Sequence, residues 1–257
     1  MAGFNSKTFS FLKSLVRNTR PPKTVLQGKK WFEVHQKEYE AAVKTPCNEV
    51  LRDIQKKIGD QAQGYRFPKS GFGRLYRDPR KASEEGPFKD WTGAHIAPPS
   101  DSMYEHPPGV WFQIGAAKDD VFVSGGLYMP SATQLRKIRT AFATHAFWLK
   151  RWESFLQSKK ITSRFDKDHG DSLKTYPRAY GPDHPQIKWL KMTQFYLWRP
   201  YTHQQATASD FSAKIASDMV YILEFNQLIQ EALDHRAEAS EKVQLDSFKT
   251  RHQAFDF

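Results

Sequence analysis

Apolar residues recur at helical spacing in both terminal parts of the chain. Phe9, Leu12, Leu15 and Val16 share one helix face, which predicts a first helix that begins near Thr8. The same kind of spacing predicts five further helices, over Lys30–Val43, Cys47–Ile58, a segment that starts at Pro130-Ser131, Ala146–Leu156, and Phe211 to about Leu233.

The middle of the chain carries short runs that are typical of strands. Because helices lie toward both ends and strands in between, we predict an α+β fold, in which helices from both chain ends pack on a central, mainly antiparallel sheet. Residues 1–233 are predicted to form a single α+β domain, and 234–257 a polar C-terminal tail. The predicted strands are Phe72–Arg77, Trp91–Ile96, Val110–Ile114, Val121–Ser124 and Thr193–Trp198.

Composition indicates a folded chain without a transmembrane segment. Of the 257 residues, 39% are hydrophobic and 14% are aromatic, which is more aromatic content than disordered chains carry. No stretch approaches the roughly 18 apolar residues that a membrane-spanning helix needs. The single cysteine, Cys47, excludes an intrachain disulfide and fits a reducing compartment, so we expect a soluble, cytoplasmic protein.

The net charge of +11 favours anionic partners, which include nucleic acid, acidic lipid and phosphorylated metabolites. The same charge also fits a basic protein whose charge only favours solubility. The first thirty residues are basic, contain serines and lack acidic residues, which is the composition of a transit peptide. The alternative for this segment is the first helix of the domain.

Motifs that would identify an enzyme class are missing from the sequence. There is no P-loop, dinucleotide fingerprint, H-E-x-x-H or G-x-S-x-G, and one cysteine cannot build a thiolate zinc cluster. Asp166, Asp168 and His169 have side chains that suit a divalent ion, but a solvated polar turn is the preferred interpretation. We therefore expect no metal site, and the sequence assigns no cofactor.

The densest polar cluster runs from Arg74 to Lys89. On a strand, Arg74, Tyr76 and Asp78 face one side, whereas Leu75 and Arg77 face the other. Guanidinium groups next to a phenol and a carboxylate can bind a phosphate or carboxylate group, and an ordinary ion-pair network is the alternative. The predicted ligand-binding residues are Arg74, Arg77, Arg80, Lys89 and Tyr128, and the predicted catalytic residues are Asp78, Tyr76 and His184.

This cluster, read as R-x-Y-R-D-x-R and then P-[FY]-K, resembles the uncharacterised family called domain of unknown function 2461. Three further segments resemble that family in the same order, and together they span about Phe4 to Leu233. The resemblance implies one α+β domain whose first helix is the N-terminal segment. It does not indicate which activity, if any, the protein has. The chain departs from the family by an insertion over roughly Thr19–Gly28 and by the absence of two lysines after Arg80. The three further segments are Phe9–Tyr39, Gly125–Arg139 and Asp183–Phe195.

Three functions remain open from the sequence, which does not establish whether the chain is an enzyme. The first is binding of, or action on, a small anionic ligand, and it requires the arginines of the cluster to converge. The second is nucleic-acid binding, suggested by aromatic residues beside basic ones at Tyr65-Arg66-Phe67 and Lys150-Arg151-Trp152. For Trp148 and Trp152, which are four residues apart on a predicted helix, burial is the alternative. The third function is that of a non-enzymatic interaction protein, and the sequence leaves the oligomeric state open.

Overall fold

The computed structural model of the chain describes residues 3–102 and 105–235. The fold is α+β, with helices packed on a four-stranded antiparallel sheet, as the sequence predicted. The strands are β1 (Trp91–Ile96), β2 (Gly109–Gly115), β3 (Phe122–Leu127) and β4 (Phe195–Pro200), and they lie in the sheet in sequence order.

The helices agree with the prediction in their main positions. Short 3-10 helices cover Gly59–Ala62 and Pro79–Lys81, and a π-helical turn covers Glu40–Lys44. The α-helices are α1 (Ser6–Thr19), α2 (Val25–Val34), α3 (Gln36–Tyr39), α4 (Thr45–Ile58), α5 (Ala82–Glu85), α6 (Ala132–Thr144), α7 (Ala146–Gln157), α8 (Lys159–Thr162), α9 (Ile187–Leu190), α10 (His203–Ala206) and α11 (Phe211–Asp234).

Two predicted elements differ from the structure. The helix expected over Lys30–Val43 begins five residues earlier, at Val25, because Thr24 and Gln27 form a reciprocal capping box at its start. That helix is also interrupted at His35, before α3 begins. The strand expected over Phe72–Arg77 is an extended segment, in which only Tyr76 forms an isolated bridge, to Phe88.

The chain divides into two compact units, each made of separate segments. Among the described residues, the first unit comprises 3–97, 110–124 and 199–220, and the second comprises 98–102, 105–109, 125–198 and 221–235. The one-domain organisation stays a prediction. The predicted tail over 234–257 lies outside the described residues except for Asp234 and His235.

The core of the first unit forms where β1 and β2 pair in antiparallel register, with Ala94 opposite Phe112. Alternate residues of both strands are buried on one face of the pair, and Phe112 lies there with no exposed surface. Its ring contacts Phe4, Phe72 and Phe211, at centroid distances of 6.4, 5.2 and 6.1 Å. The contact with Phe72 joins this core to the extended segment that carries the predicted site.

The second unit has a core of large aromatic side chains. Trp148 and Trp152 of α7 are almost fully buried, and Trp148 Nε1 donates a hydrogen bond to Leu228 O over 2.9 Å. Their burial confirms the alternative that the helical spacing of these two residues suggested. Within the described part of the chain, no helix combines the length and apolar character that crossing a membrane requires.

Candidate functional site

A pocket of about 720 Å³ lies entirely within the first unit and brings part of the predicted cluster together. Helix α2 forms one wall, the extended segment forms the second, and the 3-10 helix with α5 forms the third. The lining residues are Val25, Lys29, Arg74, Tyr76, Arg77, Asp78, Pro79, Ala82, Ser83 and Pro87.

Backbone hydrogen bonds hold the extended segment against the residues that lead into β1. Gly73 N donates to Gly93 O over 2.8 Å, and Lys89 N donates to Leu75 O over 2.7 Å. The side chains then alternate as the sequence predicted, because Leu75 is buried whereas Arg74, Tyr76 and Asp78 are exposed. Three of the predicted site residues therefore point away from the core on the same segment.

The turn that closes the pocket depends on Gly86. This residue adopts a φ of +83°, and a Cβ atom added there would lie 2.6 Å from Thr19 O at the end of α1. Arg77 N also donates to Pro87 O over 2.9 Å, which fixes the turn to the extended segment. The pocket wall thus rests on a position where a side chain is both strained and crowded.

Arg77 is the least exposed cation of the pocket, with 12% of its side chain accessible. Its guanidinium forms an ion pair with Glu85 of α5 and donates to Phe88 O over 3.3 Å. The Nε atom is buried, and it has no hydrogen-bond partner within the described residues. Arg77 therefore supports the pocket structurally while it contributes positive charge to it.

Asp78 is held by Arg80 and begins the 3-10 helix. Its carboxylate accepts hydrogen bonds from the backbone N of Arg80 over 3.0 Å and from Arg80 Nη2 over 2.6 Å. The hydrogen bonds from the Arg80 side chain are the main cause that lowers the pKa of Asp78 below its ordinary value. A carboxylate with a lowered pKa is a weaker general base, so these contacts favour a structural role over the predicted catalytic one.

Lys89 adds positive charge next to the pocket without lining it. Its Nζ lies 4.2 Å from the centre of the Trp91 ring. Burial lowers the pKa of Lys89, and the positive charges of Arg77 and Arg74 lower it further. The three cations therefore repel one another, and an anion bound among them relieves that repulsion.

Lys29 and Val25 are pocket residues that the sequence reasoning missed. Both lie on α2, about 45 residues before Arg74 in the chain, and the resemblance assigned Val25 to an insertion. Lys29 and Arg74 form no ion pair with any carboxylate in the part of the chain that the structure describes. The pocket therefore contains two cations that have no ion-pair partner among the described residues.

The ring of Tyr76 forms an exposed surface inside the pocket. The residue is 53% exposed, and its ring contacts Phe88 at a centroid distance of 4.8 Å and Phe32 at 5.9 Å. Phe88 is buried and Phe32 belongs to α2, so the tyrosine ring is supported from the core side. Its remaining surface is available to a ligand.

Tyr128 and His184, the other two predicted site residues, belong to the second unit and do not line this pocket. Tyr128 is exposed and its ring contacts Tyr196 at 6.2 Å. His184 is buried, its Nδ1 accepts a hydrogen bond from Gln186 N over 3.0 Å, and desolvation lowers its pKa. Their roles in ligand binding and catalysis stay predictions.

Other reactive or charged side chains are buried or paired in the structure. Cys47 is fully buried in α4, and burial raises the pKa of its thiol. Arg151, which was considered for nucleic-acid binding, forms a bidentate ion pair with Glu231. Across residues 3–102 and 105–235, no group of three or more His, Cys, Asp or Glu side chains is placed to hold a metal ion.

The comparison with protein families agrees with the resemblance seen in the sequence. The family model described as conserved hypothetical protein (DUF2461) matches residues 7–228, and so includes both α2 and the whole Arg74–Lys89 cluster. Neither a curated protein nor a solved structure matches the chain. Since the match covers far more than half of the chain, the protein belongs to the DUF2461 family of conserved hypothetical proteins.

Proposed function

We propose that the pocket binds a small anionic ligand. The observation that carries the proposal is that Lys29 and Arg74 line one pocket and that neither forms an ion pair with a described residue. Unneutralised cations repel one another at close range, so a site that contains them gains from an anion. Arg77 contributes further positive charge from its buried position beside Glu85.

The surroundings of the two cations favour a specific ligand over a diffuse polyanion. The lining combines cations with the Tyr76 ring and with apolar residues such as Val25 and Pro87. Its volume of about 720 Å³ lies in the range of small-molecule sites, roughly 300–1,000 Å³. The proposal concerns binding, because the one carboxylate that lines the pocket, Asp78, is occupied by Arg80.

The test uses two substitutions that remove a pocket charge without removing a packed side chain. Binding of a panel of phosphorylated and carboxylated metabolites is measured by thermal shift and calorimetry with the wild type, Lys29→Gln and Arg74→Gln. Lys13→Gln is the matched control, since Lys13 is an exposed lysine on α1. A hydrogen bond to a charged group contributes about 1.5–3 kcal/mol, so we expect each pocket variant to bind at least about tenfold more weakly.

Two results would contradict the proposal. One is that Lys29→Gln and Arg74→Gln bind every ligand as well as Lys13→Gln does. The other is that only single-stranded oligonucleotides stabilise the protein, with an affinity that falls steeply as salt is added. The second result would favour nucleic-acid binding by the basic surface instead.

A further inference from the structure

We propose that the anion is the phosphate of a mononucleotide and that its base lies against the ring of Tyr76. This inference rests on the proposed function and specifies its ligand. It is carried by three features of the pocket, which are the supported aromatic ring, the apolar lining beside it and the number of unpaired cations.

The aromatic ring is positioned to stack with a flat ligand. Tyr76 is more than half exposed although it lies in a pocket, and the two phenylalanines that support it are themselves in contact, with centroids 4.5 Å apart. A ring that is fixed by packing loses little conformational entropy when a ligand covers it. Stacking on a fixed aromatic ring is a common way for proteins to bind nucleobases.

The apolar lining indicates a ligand that has an apolar part as well as a charge. Val25, Pro79, Ala82 and Pro87 line the pocket together with Tyr76. A bare inorganic anion or a small sugar phosphate would leave these surfaces in contact with water. A nucleotide covers them, because its phosphate is charged while its base is flat and largely apolar on both faces.

The number of unpaired cations matches a phosphate better than a carboxylate. Lys29 and Arg74 together carry two positive charges, whereas Arg77 already has Glu85 as its partner. A phosphate monoester carries about −1.5 to −2 charges at neutral pH, because its second pKa is about 6. A carboxylate would neutralise only one of the two cations.

The experiment compares ligands that differ by one part. Calorimetric titrations use the full chain with AMP, GMP, CMP and UMP, with ribose 5-phosphate, and with the four nucleosides. Stacking of one base is worth a factor of about 5 to 150, so at least one nucleotide should bind more tightly than ribose 5-phosphate by that factor. The corresponding nucleoside should bind at least about tenfold more weakly than its nucleotide.

Variants at Tyr76 separate this inference from the proposed function. Tyr76→Leu should remove the preference for the nucleotide over ribose 5-phosphate, whereas Tyr76→Phe should keep that preference. If Arg74→Gln weakens binding of all phosphates but no nucleotide exceeds ribose 5-phosphate, the inference is overturned and anion binding stands. If Arg74→Gln weakens nothing, anion binding itself fails.

Discussion

At the scale of single residues, Gly86 shows how the pocket depends on backbone conformation. Two glycines of the first unit, Gly64 and Gly86, share nearly the same positive φ, +85° and +83°. A Cβ atom at Gly64 would meet nothing within 4 Å, whereas one at Gly86 would collide with Thr19 O. The pair therefore compares two glycines with similar φ that differ in crowding.

We expect Gly86→Ala to destabilise the protein more than Gly64→Ala. The shared positive φ costs about 1–3 kcal/mol in each variant, and only Gly86→Ala adds a backbone collision. Urea unfolding of the two variants and the wild type measures the difference in unfolding free energy. Equal losses in the two variants would show that the turn moves away from α1 without cost.

His169 supplies a test of pH dependence. Desolvation lowers the pKa of His169, and its Nδ1 atom is buried without a partner among the described residues. The unfolded chain therefore binds more protons than the folded chain between the lowered pKa and about 6.5. The contribution of His169 to the unfolding free energy is fully present above about pH 6.5, and it is lost as the pH falls toward the pKa of His169 in the folded chain.

We expect His169→Asn to reduce the loss of stability on acidification. The measurement is the urea midpoint of the wild type and of the variant at pH 7.5 and pH 5.5. The urea midpoint of the wild type should fall more between the two pH values than that of the variant, since only the wild type carries this histidine. An equal loss in both proteins would show that His169 is protonated alike in the folded and unfolded chains.

Sequence reasoning found the pocket residues that are adjacent in the chain and missed those that are not. Arg74, Tyr76 and Asp78 were identified together because strand alternation places them on one face. Lys29 was missed because only the tertiary fold brings α2 to this pocket. The local sequence of a helix does not predict which loop the helix will contact. Arg80, which is also predicted to bind the ligand, donates hydrogen bonds to Asp78 and does not line the pocket. Its role in ligand binding stays a prediction.

At the scale of elements, the longer helices and all four strands could be predicted from periodicity, whereas the segment at 72–77 was wrongly predicted to be a fifth strand. The alternation of its side chains is that of a strand, and this part of the prediction is confirmed. A strand also needs a partner strand in continuous register. Here Gly73 pairs with Gly93 and Tyr76 with Phe88, and these two contacts do not share one register. Such pairing depends on residues elsewhere in the chain, which a local pattern does not contain.

Helix α11 carries a buried carboxylate that can be compared with an exposed one. Asp218 is fully buried, forms an ion pair with Arg199 over 2.9 Å and accepts a hydrogen bond from Tyr201. Asp210, just before the same helix, forms an exposed ion pair with Lys214 over 3.1 Å. Burial makes the first carboxylate depend on its partners far more than the second does.

We expect Asp218→Asn to lower the unfolding free energy by about 2 kcal/mol or more, because it leaves Arg199 without its buried counter-charge. Asp210→Asn is the matched control, with an expected loss below about 0.5 kcal/mol for an exposed pair. Chemical unfolding of both variants tests this. A similar small effect for the two would show that Arg199 reaches solvent when its partner is neutral.

At the scale of the whole molecule, the fold class could be predicted from the sequence, whereas the division of the chain into two compact units could not. The order of helices and strands indicated α+β, because that order is read directly from the sequence. The two compact units were not anticipated, since each is assembled from segments that are distant in the chain. Of the five boundaries between the units, four fall inside β2, β3, β4 and α11, and one falls in the loop after β1.

This division has a consequence for the synthesis of the protein. Residues 211–220 of α11 belong to the first unit and residues 221–234 to the second. Domains of many proteins fold one after another as they leave the ribosome, the N-terminal one first. Here the first unit lacks its last segment until translation has covered residues 199–220, and the second lacks its last segment until translation has passed residue 221. Neither core can therefore close before the synthesis of α11 has begun.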